Sequence, residues 1–322
     1  MTPNGPTVLV TGAAGQDGIY LARQLLAEGC RVVGTVSPGR SRDRRVLVHL
    51  SGVEIVEHDL ADADGTREIV LARRPREIYN LAAQSSVAQS WQDPERTEAV
   101  NAGAVHRLLD AATELTRQGT PVRFFQASSA EVGGAAGDSP YAQSKARAEA
   151  AVHAAREDGM HAVCARLHGH ESPIRPLRFV TRKITRGAAE IALGRRETLT
   201  LGNLDVHRDW GFAGEYVDAF IRLLRHDRPV DVPLGTGRSH SLAELVETAF
   251  DAAGVADPWS RIERDPALLR PSDSPLLLAD PEPAATLIGW RATTSFADLI
   301  ARMVEVDLRR LTSGVEESVD HL

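Results

Sequence analysis

Two apolar textures alternate along the first half of the chain. Short runs rich in β-branched residues are each followed by a turn, and most then by a stretch with apolar positions three and four apart. Residues 7–11, 31–36, 53–60, 77–83, 122–127 and 161–167 read as strands. Residues 19–28, 65–74, 94–117 and a segment running from Tyr141 to 158 read as helices. In the third of these, Ala102, Val105, Leu108, Leu109 and Ala112 form a core stripe. Repeated strand–helix alternation predicts an α/β fold with a doubly wound parallel sheet, whose ligands bind beyond the carboxyl ends of the strands. The second half is less regular. Helices are expected at 176–193, 214–226, 241–253, 280–288 and 295–311, with a strand at 198–201. Ser241 with Glu244 three residues on is a capping-box signature.

Composition changes this picture little. The chain has 322 residues, 43% hydrophobic and 25% charged, as in ordinary globular proteins. A net charge of −7 argues against nucleic acid or an anionic membrane as partner. Cys30 and Cys164 both sit in apolar strand-like runs, so they read as buried thiols of a reducing cytoplasm rather than a disulfide or metal pair. The first residues lack the basic-then-apolar order of a signal peptide. No apolar run approaches the roughly 18 residues of a membrane span. A cytoplasmic protein is expected.

Candidate chemistry clusters at the strand ends. Gly12, Gly15 and Gly18 follow the first strand directly and open a helix. Glycines there let the backbone approach a pyrophosphate at a helix N-terminus, where free N–H groups favour anions. No acid stands at the end of the second strand, and Arg40 and Arg42 follow it instead. That favours a ribose 2′-phosphate, hence NADP, with NAD as the other choice. Asp59, with Leu60, ends the third strand and is placed against the adenine. Ala82 and Ala83 are small enough to let the cofactor pass. Tyr141 and Lys145 are four apart on a helix and project together. A phenol has a reference pKa of about 10, and a neighbouring ammonium favours the phenolate, which suits proton transfer from a hydroxyl being oxidised. These features predict a dinucleotide-binding Rossmann-type part formed by residues 1–168 plus about 204–229. A smaller α/β substrate-binding lobe is expected at 169–203 plus 230–313, and a polar tail at 314–322.

Several longer runs are more specific. Thr11-Gly-Ala-Ala-Gly-Gln16-Asp17-Gly-Ile-Tyr-Leu-Ala22, Glu77-Ile-Tyr-Asn-Leu-Ala-Ala-Gln84-Ser85, Gln126-Ala-Ser128, His170-Glu171-Ser-Pro173, Phe179-Val-Thr-Arg-Lys183-Ile184, Leu201-Gly-Asn-Leu-Asp205, Arg208-Asp-Trp-Gly211 and Arg270-Pro271 lie along nearly the whole chain. With Tyr141 and Lys145 they resemble the GDP-mannose 4,6-dehydratases, extended short-chain dehydrogenases/reductases. The resemblance implies that Tyr141 takes the proton from sugar O4 during C4 oxidation. Ser129 hydrogen-bonds O4, and Glu131 removes the C5 proton and assists loss of the C6 hydroxyl as water. Gln16 and Asp17 join the glycines at the cofactor. Gln84, Ser85 and Glu171 would face the sugar nucleotide, with Lys183, Arg208 and Arg270 on its phosphates. Relatives pair through two long helices, here about 94–117 and 141–158, so a homodimer or homotetramer is expected.

The chain also departs from the family pattern. Ser37 and Pro38 replace two arginines, Gly169 an Asn and Phe212 a His, and the loop between Glu131 and Tyr141 is about a dozen residues short. These changes touch substrate recognition more than hydride and proton transfer. The expected activity is therefore sugar-nucleotide 4,6-dehydration, with GDP-mannose the expected substrate. An epimerase or 4-keto-sugar reductase of the same fold, a dehydratase for another sugar nucleotide, and a nucleotide sensor are the competing readings. Glu131 argues against a simple reductase, and the intact Ser129, Glu131, Tyr141 and Lys145 argue against a sensor.

Overall fold

The computed structural model describes residues 5–134, 137–268 and 276–322. Its first half follows the predicted alternation: β1 (Thr7–Thr11), α1 (Gln16–Ala27), β2 (Arg31–Val36), α2 (Arg44–His49), β3 (Glu54–Glu57), α3 (Ala63–Arg73), β4 (Glu77–Asn80), α4 (Val87–Gln92), α5 (Pro94–Glu98), α6 (Ala104–Arg117), β5 (Arg123–Ala127), α7 (Pro140–Glu157) and β6 (His161–Leu167). The second half adds β7 (Gly169–Glu171), α8 (Val180–Ala192), β8 (Leu199–Leu201), β9 (His207–Arg208), β10 (Trp210–Phe212), α9 (Ala213–Arg225) and β11 (Val232–Leu234). β12 (His240–Ser241), α10 (Leu242–Ala252), β13 (Ile262–Arg264), β14 (Leu276–Leu277), α11 (Glu282–Ile288) and α12 (Phe296–Ser313) complete it.

Among the described residues the main sheet has seven parallel strands in the order β11-β6-β5-β4-β1-β2-β3. The order reverses between β1 and β4, the point where such sheets open a ligand crevice. The strands carry apolar residues on both faces, as buried parallel strands do. On one face Val8, Val10 and Phe125 pack with Ile19 of α1 and Phe220 of α9. On the other, Leu9, Ile78 and Phe124 pack with Val70 of α3, Leu108 of α6 and Val152 of α7. A third core joins Ile184 of α8, Phe250 of α10 and Met303 of α12 to Leu199 and Trp210. This third core is the body of the smaller lobe.

Four differences from the sequence reading have physical causes. The sheet does not end before residue 230: β11 pairs with β6, and Ala284 and Ile288 of α11 pack in the first core. Conversely Leu204, Val206 and Trp210 pack in the third core. The helix at 94–117 is broken by one π-helical turn (Ala99–Gly103). Its stripe is nonetheless core as expected: Val105, Leu108, Leu109 and Ala112 pack in the second core. Finally, the polar tail is docked. His49 and Glu317 pair at 2.8 Å, Arg310 Nε donates to Glu316 O at 2.9 Å, and His321 is buried. These polar contacts with α2 and α12, with the Arg186–Glu316 pair from α8, are invisible in the hydropathy pattern and hold it.

Both cysteines are buried and free. Ser241 and Glu244 form the expected capping box on α10. No helix among the described residues is long and apolar enough to cross a membrane.

Candidate active site

The site lies at the carboxyl edge of the sheet. Gly12 has φ +68°, and a Cβ there would lie 2.9 Å from Ala82 Cα, so the turn needs glycine to pass beneath the β4 loop. A Cβ on Gly18 would lie 2.4 Å from Gly12 O. The same folding-back leaves the N-terminus of α1 open: Gly15 is its N-cap and no side chain caps it. Helices α3 and α7, by contrast, are capped by Asp62 and Ser139. Uncapped N–H groups at the switch point of the sheet are the donor set a dinucleotide pyrophosphate needs.

A chain of buried hydrogen bonds crosses the strand ends beside that turn. Thr11 Oγ1 donates to Asn80 Oδ1 (2.6 Å), and Asn80 Nδ2 to Gln126 Oε1 (2.8 Å). Gln126 Nε2 then donates to Ala127 O (2.8 Å), which also accepts from Lys145 Nζ (2.7 Å). Neighbouring strands β1, β4 and β5 are thereby tied to α7. Ser139 caps α7 by accepting from Ala142 N, and Pro140 fills its first position, which sets Tyr141 at the start of the helix. Beyond β5 the ladder continues, with Ser128 N on Ala165 O and Ala130 N on Leu167 O. This holds Ser129 and Glu131 beside Tyr141.

Ser129, Glu131, Tyr141 and Lys145 all line one cleft of about 740 Å³. Asp17, Ala83 and Ser85 line it beside the glycine turn and the β4 loop, and Glu171, Lys183 and Arg208 line it on the lobe side. Lys183 Nζ donates to Thr200 O (2.7 Å), and Arg208 Nη1 to His207 O (2.8 Å). Glu171 accepts from Thr181 Oγ1 (2.7 Å) and lies 3.1 Å from Arg175 Nε, too poorly aligned for a hydrogen bond.

Electrostatics correct one expectation. Burial pushes the Tyr141 phenol above its ordinary value; hydrogen bonding to Ser129 acts against this, Glu131 reinforces it and Arg175 opposes it. The Lys145 ammonium donates to Ala127 O at 2.7 Å, which anchors it at the turn that leads to Ser129. Burial in turn lowers Lys145 to about 8, with Cys164 and Glu149 acting upward.

Other expected residues lie off the cleft. Gln16 is buried, donating to His170 O (2.9 Å) and accepting from Ser172 Oγ (2.7 Å), so it ties the glycine turn to the segment after β7. Asp17 strengthens that joint by pairing with His170 at 3.0 Å. Arg40 is exposed and pairs with Asp43 at 2.7 Å. Asp59 is held by Arg96 at 3.1 Å and by Ala61 N at 3.0 Å. Leu60 is buried beside it, its carbonyl accepting from Arg107. Ala82 N donates to Thr11 Oγ1, and the Gln84 side chain closes its own loop on Ser86. Arg270 lies outside the described residues.

The family departures have local reasons. A Cβ on Gly169 would lie 2.7 Å from both Asp209 O and Trp210 Cδ1, so no side chain fits there. Phe212 is edge-on to Tyr20 at 5.5 Å, with Arg302 over its ring at 4.6 Å, and serves packing between the lobes.

Three site features escaped the sequence reading. Asn101, in the π-helical turn, donates to Ser144 Oγ (3.1 Å) and Gln84 O (3.1 Å) and accepts from Gln84 N (2.8 Å), joining α7 to the β4 loop. The π turn leaves no mark in apolar spacing. Glu57, at the end of β3, accepts from Gly39 N, Ser41 N and Ser41 Oγ. Those bonds, the Ser41 hydroxyl first, hold its carboxyl at about 2 and shape the loop after β2. Arg175 and Arg178 line the cleft, with Arg175 stacked 3.6 Å from the Phe179 ring centroid. One signal was available: Lys145 and Lys183 are the two lysines among 37 basic residues, and both line this cleft.

Residues 9–303 match the family model described as GDP-mannose 4,6 dehydratase. The chain is 39% identical to a GDP-mannose 4,6-dehydratase of Sinorhizobium fredii, covering 94% of this chain and 97% of that one. It is 35% identical to GDP-mannose 4,6 dehydratase 1 of Arabidopsis thaliana, covering 93% and 89%. Among solved structures it is similar to a Thermus thermophilus UDP-glucose 4-epimerase in complex with NAD, with a TM-score of 0.80, 26% identity and coverage of 94% and 98%.

Proposed function

The chain belongs to the GDP-mannose 4,6-dehydratase family, and on that premise we propose that it converts GDP-mannose to GDP-4-keto-6-deoxymannose with NADP. One observation carries the residue assignment. A hydroxyl (Ser129), a carboxylate (Glu131), a phenol (Tyr141) and an ammonium (Lys145) share one cleft beside the open N-terminus of α1.

When bound, the nicotinamide supplies a hydride acceptor for sugar C4 and a donor for C6. This chain's residues move the protons. Tyr141 takes the O4 proton while Ser129 hydrogen-bonds O4 and fixes its direction. Burial makes the phenolate costly, so Tyr141 needs both Ser129 and a cationic neighbour in the loaded site. Lys145 supplies that charge at the ribose side of the cleft. The C4 ketone acidifies C5–H. Glu131 removes that proton and gives it to the departing C6 hydroxyl, which leaves as water, and C5 takes a solvent proton as hydride is returned to C6. Gly12, Gly15, Gly18 and the first N–H groups of α1 hold the pyrophosphate. Arg40, on the loop shaped by Glu57, is the candidate for the 2′-phosphate, and Asp59 and Leu60 border the adenine side. Lys183, Arg208 and Arg270 are assigned to the substrate diphosphate, with Ser85, Gln84 and Glu171 toward the sugar.

A homodimer or homotetramer built through α5, α6 and α7 is part of the same reading. Since the apolar stripe of α6 is spent internally, the exposed face with Ala146, Ala150 and Ala154 of α7 is the surface available for a partner copy.

The test is turnover of GDP-mannose in deuterated water with NADP present, followed by NMR. A 4-keto-6-deoxy sugar carrying deuterium at C5 is expected. Turnover of another sugar nucleotide with none of GDP-mannose would overturn the substrate assignment.

A further inference from the structure

Glu149 is a buried carboxylate that the proposed chemistry leaves unused. It lies four residues beyond Lys145 on α7, hence on the same helix face. Its Oε1 accepts from Ser128 Oγ (2.6 Å) and Arg166 Nε (2.9 Å), and its Oε2 from Arg166 Nη2 (2.7 Å). Ser128 stands between Ala127, whose carbonyl anchors Lys145, and Ser129, which faces the cleft. One carboxylate thus grips the turn that carries both. Burying a charge is costly, and an apolar side chain would satisfy packing alone. Here Arg166 of β6, its side chain half-exposed, supplies the compensating charge from the rim.

We propose that Glu149 is a positioning residue, which keeps Lys145 in its ammonium form and fixes the Ser128–Ser129 turn. The proposal rests on the catalytic roles assigned above to Lys145 and Ser129. The groups facing this corner are few. On α7 there are Lys145 and Arg156, the latter paired with Asp231. On β6 there are Cys164 and Arg166, and ahead of β11 there is Asp231. Cys164 is held protonated, because burial pushes its thiol well up. Asp231 is committed to His153, Arg156 and the Cys164 amide. That leaves Glu149 as the negative charge on Lys145's own face. After Cys164, it acts against the burial that draws Lys145 down to about 8.

The experiment uses the full chain grown with lysine labelled by carbon-13 at the ε position. With two lysines the spectrum holds two side-chain signals, and Lys183→Arg assigns them. The Lys145 signal is titrated in the parent, in Glu149→Gln and in Arg166→Gln. Glu149→Gln is expected to lower the midpoint by about one pH unit. Arg166→Gln, which exposes Glu149's charge to Lys145, is expected to raise it. Opposite shifts are the signature of an electrostatic role, since a merely structural one moves both variants alike or neither. Unchanged midpoints, or shifts of one sign, overturn the proposal. Should Glu149→Gln fail to fold, absence of an upward shift in Arg166→Gln is sufficient to overturn it. The titration needs no substrate, so a failed GDP-mannose assay would strike the proposed function and leave this result standing. With turnover present, the basic limb of the kcat profile is expected to follow the same two shifts.

Discussion

Replacing Lys145 by Met is expected to abolish turnover and make the protein more stable. Lys145 is 4% exposed, and burial brings its ammonium from 10.5 to about 8. At about 1.4 kcal/mol per tenfold change, that fall corresponds to roughly 3 kcal/mol of cost while the folded group stays charged. Met removes the charge and keeps most of the apolar stem. The opposing loss is the hydrogen bond to Ala127 O, about 1–3 kcal/mol when a buried acceptor is left bare. Gln126 Nε2 continues to donate to that oxygen, so the lower end applies. The net is a gain of roughly 1–2 kcal/mol at pH 7, or a Tm rise of about 1.5–3 °C for a chain of this length. Its pH dependence follows from linkage. Below about pH 8 both folded and unfolded Lys145 are charged, and the parent bears the full cost. Between about 8 and 10.5 the folded group is neutral while the unfolded one still binds its proton, so the parent's unfolding free energy rises with pH. The advantage of Lys145→Met must shrink across that window. Urea unfolding of both proteins at intervals from pH 7 to 10 measures it. A variant less stable than the parent at pH 7, or an advantage constant with pH, refutes the reasoning.

Glu131→Gln should reduce turnover by at least about a hundredfold, as expected for loss of a general base. It should leave NADP affinity, read by fluorescence titration, within about twofold; unchanged turnover removes Glu131 from the reaction. Asp307→Ala should cost about 3–5 kcal/mol in urea unfolding. Asp307 is fully buried and takes Arg182 Nε at 2.8 and 3.0 Å and Arg310 Nη1 at 3.2 Å, so its loss strands two buried cations. A loss below 1 kcal/mol would show that they find other partners. Asp17→Asn tests the joint between glycine turn and lobe. His170 is raised: although burial pulls it down, Asp17 more than offsets this, so its contribution is full below 6.5 and lost as pH rises through the folded value. Asp17 is lowered despite burial, chiefly by His170, so its contribution is present above 3.8 and lost as pH falls through its folded value. The stability deficit of Asp17→Asn should therefore be larger at pH 5.5 than at pH 9, and equal deficits would contradict the pairing.

The part of the fold that was legible is the part whose signals are local. A β-branched run, a glycine turn and an amphipathic helix each announce themselves within a dozen residues, and β1, β2 and β6 fall at their expected limits. The lobe is built otherwise. β9, β12 and β14 are two residues long and pair only with one another, so no run of apolar residues marks them. The docked tail depends on Arg186 finding Glu316 across 130 positions, which periodicity does not record.

The site divides along the same line. Motif residues were found, but a motif does not say which neighbour a side chain turns to. In Phe179-Val-Thr-Arg-Lys-Ile184, Arg182 turns inward to Asp307 and Pro173 O while Lys183 lines the cleft. About 100° of helix rotation separates adjacent residues, and the same run therefore supplies a structural clamp and a candidate phosphate ligand. Arg208-Asp-Trp-Gly211 repeats this: Arg208 lines the cleft, and Asp209 is buried on Thr236 N and Gly237 N. Gly169 shows the converse. Its replacement of a polar residue reads as damage to a binding site, yet the register of β7 on β10 sets it against Trp210, where no side chain fits. Lysine usage carries what these motifs leave out. Arginine suits fixed ion pairs because it stays charged, whereas a lysine ammonium titrates when buried. In a chain that otherwise uses arginine for its cations, two lysines on one cleft mark where a charge of adjustable strength is wanted, and Glu149 beneath the first is the group placed to adjust it.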